Sequence, residues 1–274
     1  MSDTQTIIEA KESQSDYFLK SDIKKVNEAG GKGMPILKVY DPKRFWDDVG
    51  EDFYKAFNSQ AQLQMNSLWM SDRLKQLGVA TLLEVGCGFG RILPFLLESG
   101  AIKSAVGIDI SDKIVANSKD YLNPTPSDTL KLDDYRKKLT ESKIDSALKL
   151  KLEELLISQY AKRKQNPPDF RDKIEIKLGD ARKLEFESDS FDCVLSSETM
   201  QHLSCEDVED AVLEMVRVSR KVIFMVERWV FPGEHPQPDL WSHNYVDILN
   251  KLGVKVVQAS LISNGLQGVI ALKR

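Results

Sequence analysis

From residue 80 onward, short apolar runs alternate with segments whose apolar positions recur at helical spacing. ATLLEV, SAVGIDI, IEIKLGD, FDCVLSS, KVIFMVE, KVVQASL and QGVIALKR read as strands. GRILPFLLESG, SDKIVANSKDYL, HLSCEDVEDAVLEMVRVS and NYVDILNKLG read as helices, the second opened by Ser111. Alternation of this kind predicts an α/β domain with a mostly parallel sheet and helices on both faces. The last two strands are separated only by ISNG, which predicts an antiparallel pair.

Upstream, residues 41–78 carry a helical pattern. Phe45, Trp46, Val49, Phe53, Tyr54 and Phe57 begin it, Leu63, Met65, Leu68, Trp69 and Leu74 continue it, and Gly78 is a helix stop. Residues 1–33 are polar and end in Gly30, Gly31 and Gly33. The GGKG there has no following Ser or Thr and no preceding strand, so it reads as a linker and not a phosphate loop. These readings divide the chain into an N-terminal arm (1–40) and one domain (41–274). Residues 123–170 break the alternation. They are charged, bounded by proline, and carry Ile144, Leu148, Leu152, Leu155, Leu156 and Tyr160 near i, i+4 spacing. This is a helical insertion, serving either as a surface or homo-oligomer contact or as a lid over the substrate.

Composition narrows the classes. The chain has 274 residues, 42% apolar, enough for one sizeable core. Its 38 basic and 42 acidic residues give a net charge of -4, and no basic block suggests a nucleic-acid footprint. No apolar run approaches the ~20 residues of a membrane span, and the N-terminus lacks the pattern of a secretory signal. Cys87, Cys193 and Cys205 are three widely spaced cysteines, which argues against disulfides or a zinc site and for a cytoplasmic protein with reduced thiols. No metal is expected.

The densest chemistry lies in LLEVGCGFGR (82–91). Glu84 ends an apolar strand, and Gly86, Gly88 and Gly90 follow at every second position. Glycines allow backbone angles closed to other residues and let a ligand approach the main chain. The turn then opens a helix whose amides can meet a polar group. A dinucleotide turn reads G-x-G-x-x-G; here the third glycine comes one residue early. Asp109 ends the next strand about 20 residues later, where a carboxylate can accept two ribose hydroxyls. That spacing suits NAD equally, and Asp109 could instead cap the helix at Ser111.

The run E-V-G-C-G-F-G-R resembles the first motif of class I S-adenosylmethionine-dependent methyltransferases, and the likeness continues through residues 80–228, nearest to the small-molecule, quinone-biosynthesis-like branch. The resemblance implies a Rossmann-like seven-stranded sheet and S-adenosyl-L-methionine as cofactor. By the same token Gly86, Cys87, Gly88 and Gly90 line the methionine part, Glu84 helps to hold its amino end, and Arg91 matches a common family residue. Asp109 takes the ribose and Ile110 packs on the adenine. LGDARKLEFESDSFDCVLS is similar to the family's G-D-A and S-F-D-x-V segment, which puts Asp180 beside the adenine amino group and the Ala181 amide beside a ring nitrogen. Glu185 stands where the family often has proline, and Asp192 falls at a structural position.

Ser196, expected to bind the cofactor, and Ser197 lie at a strand's carboxyl end, where open α/β sheets bind ligands. Glu198 and His202 are four apart, on one face if a helix starts there. His202, Glu198 and His243 are the candidate bases, with Tyr245, His235, Trp229 and Trp241 nearby. The resemblance implies methyl transfer to an oxygen or nitrogen of a small molecule. An NAD oxidoreductase is disfavoured by the glycine spacing and Asp180. A non-catalytic cofactor-binding protein of the same fold remains open. A protein or RNA methyltransferase is weakened by SSET standing after the fourth strand.

Overall fold

The computed structural model describes residues 41–48, 61–122, 150, 153–154, 169–228, 241–263 and 265–273. The proposed arm (1–40) and nearly all of the insertion (123–170) lie outside them, as do His235 and Trp229. Helix α1 covers residues 42–48; Asp41 caps it, its carboxylate accepting from the Arg44 amide (3.1 Å), and Pro42 occupies the first turn. The further elements are α2 (Ala61–Gln76), β1 (Thr81–Val85), α3 (Leu93–Glu98), β2 (Ser104–Asp109), α4 (Asp112–Leu122), β3 (Ile174–Leu178) and β4 (Phe191–Ser197). A 3-10 turn (Met200–His202), α5 (Cys205–Val218), β5 (Ser219–Arg228), α6 (Tyr245–Lys251), β6 (Lys255–Ser263) and β7 (Leu266–Leu272) complete the order.

The seven strands form one sheet in the order β3-β2-β1-β4-β5-β7-β6. β1 pairs in parallel with β2 and β4, β2 with β3, and β4 with β5. β7 is antiparallel to both β5 and β6, as the short ISNG link requires. This is the α/β fold read from the alternation, in the Rossmann-like seven-stranded form that the resemblance implied. Gly78 follows α2 in the left-handed region (φ 64°), the expected stop.

Period-two alternation sends each central strand to two cores. Leu82, Cys193, Leu195, Phe224 and Val226 pack with α2 and α3 through Leu68, Leu74, Leu93 and Leu96. Leu83, Val85, Val194, Ile223 and Met225 pack on the other face with α5 and α6 through Val212, Met215, Tyr245 and Leu249. Asp192 ties strands together at the amino end. It is buried, accepts from the Ala80 and Thr81 amides (3.0 and 3.3 Å), and pairs with Arg220 and Lys221. Burial opposes its ionisation, but the Ala80 amide and Lys221 outweigh that and hold its carboxyl below the ordinary value.

Candidate active site

The sheet order places a switch point between β1 and β4, because the chain moves outward from β1 to β2 and β3 and then returns to the other side. Open α/β sheets bind ligands at the carboxyl ends there. Glu84 sits at that end of β1, buried at 1% exposure. Its Oε2 has no hydrogen-bond partner among the described residues. Burial pushes its carboxyl up to about 8, against the pull of nearby Arg91. A buried carboxyl with an unpaired oxygen is costly and needs an explanation.

The glycine turn follows with Gly86, Gly88 and Gly90 all in the left-handed region (φ 69°, 58° and 83°). Part of the reason for glycine lies within the protein. A Cβ on Gly86 would stand 2.1 Å from Thr199 Cγ2, and one on Gly90 2.8 Å from Ile176 Cδ1. Thr199 Oγ1 also donates to the Gly86 carbonyl (3.1 Å), seating the chain after β4 on the turn after β1.

Cys87 departs from its expected role. Its amide donates to Ile108 O (2.9 Å) and its thiol to Gly88 O (3.2 Å). The sulfur packs so tightly on β2 that a Cβ on Gly107 would meet it at 2.6 Å. The side chain belongs to the core, and only its peptide borders the turn. Burial pushes the thiol well above its ordinary pKa.

Asp109 binds the turn to β2. One carboxylate oxygen accepts from Gly88 N (2.9 Å) and the other from Ser111 N (3.0 Å). Each oxygen keeps a second acceptor direction. Burial raises its pKa, and the Ser111, Gly88 and Ile110 amides partly offset the rise. The adjoining Ile110 is half-buried. Asp180 lies past β3 in the turn that also holds Ala181, and Arg182 forks onto it (Nη2–Oδ2 2.7 Å, Nε–Oδ1 3.0 Å). Burial works against the charge of Asp180, yet Arg182 keeps its pKa below the ordinary value.

The acceptor-side residues divide. Ser196 is fully buried and its hydroxyl donates to the Glu227 carboxylate, so it serves the β4–β5 seam and not the cofactor side. Glu198 does not start a helix: it is left-handed (φ 56°), half-buried, and its amide donates to Val226 O (2.8 Å). Helical spacing to His202 therefore fails, because the 3-10 turn begins only at Met200. Ser204 then caps α5 by accepting from the Asp207 amide (3.1 Å). His202 is half-buried, edge-on to Trp46 of α1 (ring centroids 4.9 Å). His243 is buried with Nε2 2.9 Å from Leu203 O. A carbonyl only accepts, so that nitrogen holds a proton, and Nδ1 is the ring nitrogen that carries the lone pair of the neutral form.

Three residues absent from the expected site take places in it. Glu227 ends β5 as Glu84 ends β1, fully buried, with Oε2 unpartnered among the described residues. The signal was present, since KVIFMVE closes an apolar strand with an acid as LLEV nearly does. Asp47 and Trp46 of α1 are the others. Asp47 accepts from Ser111 Oγ (2.7 Å), and Lys43 bridges Asp47 and Asp112 (3.1 and 2.6 Å). Since α1 touches residues after β2 and after β4, it spans the carboxyl end of β1 that lies between them.

A family model described as a methyltransferase domain matches residues 148–222, the stretch holding β3, Asp180, β4 and α5. Among solved structures, the complex between the Haloferax volcanii Trm112 methyltransferase activator and the putative methyltransferase matches with TM-score 0.55 and 14% identity, covering 85% of this chain and 97% of that one. A SAM-dependent methyltransferase from Aquifex aeolicus matches with TM-score 0.52 and 17% identity over 81% and 97%. Magnesium protoporphyrin IX methyltransferase from Synechocystis PCC 6803 with bound SAM matches with TM-score 0.54 and 13% identity over 89% and 100%. No curated protein matches by sequence. The fold is that of class I methyltransferases. Among the described residues no helix is long and apolar enough to cross a membrane, and no cluster of metal-ligating side chains occurs.

Proposed function

We propose that the protein is an S-adenosylmethionine-dependent methyltransferase acting on a small-molecule acceptor. The observation that carries this reading is Glu84. It is a buried carboxyl with a free oxygen at the switch point, beside three left-handed glycines. An ammonium group satisfies that oxygen and restores its charge. The amino end of the cofactor supplies one. Asp109 keeps acceptor capacity for ribose hydroxyls, and Asp180, held ionised by Arg182, accepts from an exocyclic amine. Ile110 supplies apolar contact to the base.

When bound, the cofactor supplies an already activated sulfonium methyl. The work left to the protein is placement, and near-attack positioning can contribute ~7–11 kcal/mol. His202 and Glu198 border the acceptor side. A base is required only for an acceptor that carries a proton at working pH. His243 can serve only through Nδ1, and stands beside His202 and Glu198 as a candidate.

Calorimetry with S-adenosylhomocysteine tests the reading. One site is expected, with affinity at least about tenfold weaker in Glu84→Gln and in Asp109→Asn, the loss of one charge-assisted contact. Absence of binding in the native protein overturns it.

A further inference from the structure

The carboxyl ends of β4 and β5 hold a second polar site on the face opposite Glu84. Glu227 lies on the side of the sheet that packs with α5 and α6, in line with Val85, Ser196 and Met225. The Ser196 hydroxyl and the amides of Met200 and Gln201 bond to its carboxyl, which fastens the 3-10 turn above it. One oxygen remains. Glu227 Oε2 is fully buried without a partner among the described residues. Two further buried atoms share that condition: the Tyr245 hydroxyl, close enough to Glu227 to feel its charge, and Gln201 Oε1 on the same 3-10 turn.

Charge sets the kind of group that fits. Glu198, half-buried and left-handed at the next turn of chain, adds to the negative potential at Glu227. Neither carboxylate forms an ion pair with any described residue. Burial without a cation drives the Glu227 carboxyl up to about 8. Once ionised, the carboxyls only accept, as an amide oxygen does, and a phenol oxygen can accept as well. A compact group with several N–H donors and a positive charge satisfies the open Glu227 oxygen and offers a further donor to the Tyr245 hydroxyl. A hydroxyl offers a single donor and no charge.

We infer that Glu227, with Tyr245, forms a subsite for an ammonium group, and that the acceptor is therefore a small molecule carrying an amine. This assignment of acceptor class rests on the methyl-transfer reading, but the subsite itself does not. Among the described residues the 3-10 turn lies over it, pinned by the Trp241 amide to Gln201 O (2.7 Å). The competing occupant is a buried water, which would bridge the same atoms with no preference for charge.

Saturation-transfer NMR with methylammonium, and with methanol as its uncharged counterpart, decides between them in the protein saturated with S-adenosylhomocysteine. Methylammonium is expected to bind and methanol not. Its affinity should fall at least about tenfold in Glu227→Gln. Tyr245→Phe is the second variant, expected to weaken it by several-fold while keeping the ring that packs on α5. Retained binding of S-adenosylhomocysteine shows that each variant is folded. Equal signals from methanol, a methylammonium signal that survives Glu227→Gln, or no methylammonium signal in protein that binds S-adenosylhomocysteine would each overturn the subsite. Methylammonium binding in protein that fails to bind S-adenosylhomocysteine would sustain the subsite and overturn the methyl-transfer reading instead.

Discussion

A methyl group at Gly86 would have nowhere to go, because Thr199 fills the space and the backbone is left-handed. Gly86→Ala is expected to cost about 2 kcal/mol or more in urea unfolding, from overpacking plus φ strain. Adding Thr199→Ala should recover only the packing part. Full recovery would mean the positive φ carries no cost. At this scale the sequence was uneven. The places of Glu84 and Asp109 at the carboxyl ends of β1 and β2 were legible because each closes an apolar strand beside a glycine turn. The burial of the Cys87 and Ser196 side chains was not. β4 is buried at every position, so no alternation tells which face Ser196 takes. For Cys87, what decides is a contact with a distant backbone group.

Among the elements, α1 shows what a one-dimensional pattern omits. Helical spacing gave a helix over 41–78, and the described parts are helical at 42–48 and 61–76. Nothing local indicated that α1 would reach Ser111 and His202. The contacts that hold it differ in strength. Lys43–Asp112 is largely exposed and worth little. Asp47–Ser111 is partly buried and charge-assisted, worth about 1.5–3 kcal/mol by analogy with similar bonds. Asp47→Ala should therefore speed release of S-adenosylhomocysteine by about tenfold or more in stopped-flow, since 1.4 kcal/mol is a factor of ten. Lys43→Ala should change it less than about threefold. An unchanged rate in Asp47→Ala would mean α1 does not cover the bound cofactor.

For the whole molecule, buried carboxyls of opposite tendency set the pH profile. Glu84 and Glu227 keep their protons up to about 8 in the fold, against an ordinary value of 4.5. Between those values the folded chain binds more protons than the unfolded one, so stability falls as pH rises through that window. Asp192 and Glu214 have lowered values, so their contribution is present above the ordinary carboxyl range and lost as pH falls through the folded pKa. Urea midpoints should thus decline from pH 5 to pH 8 in the free protein. Saturating S-adenosylhomocysteine should blunt that decline through Glu84. A flat or rising free-protein profile would contradict the burial of both groups. The fold as a whole was legible because alternation, strand length and the ISNG link all point one way. The proposed acceptor side was not, because it draws on the ends of β4 and β5, α6 and α1.

The antiparallel return of β7 has a mechanical consequence. It brings Leu272 beside Val222, and Lys273 Nζ donates to the carbonyls of Val216 and Ser219 at the amino edge of the sheet. Residue 41, at the head of α1, sits at the opposite edge. Force applied between residues 41 and 273 runs along the strands. It loads the β5–β7 ladder in shear, with many hydrogen bonds sharing it at once, while the described contacts of α1 with the sheet's loops are side-chain ones. In an optical trap, α1 would come away at low tension and the sheet would hold to a much higher one. The extension at the first step would then report, one molecule at a time, whether the mouth of the site is open or shut.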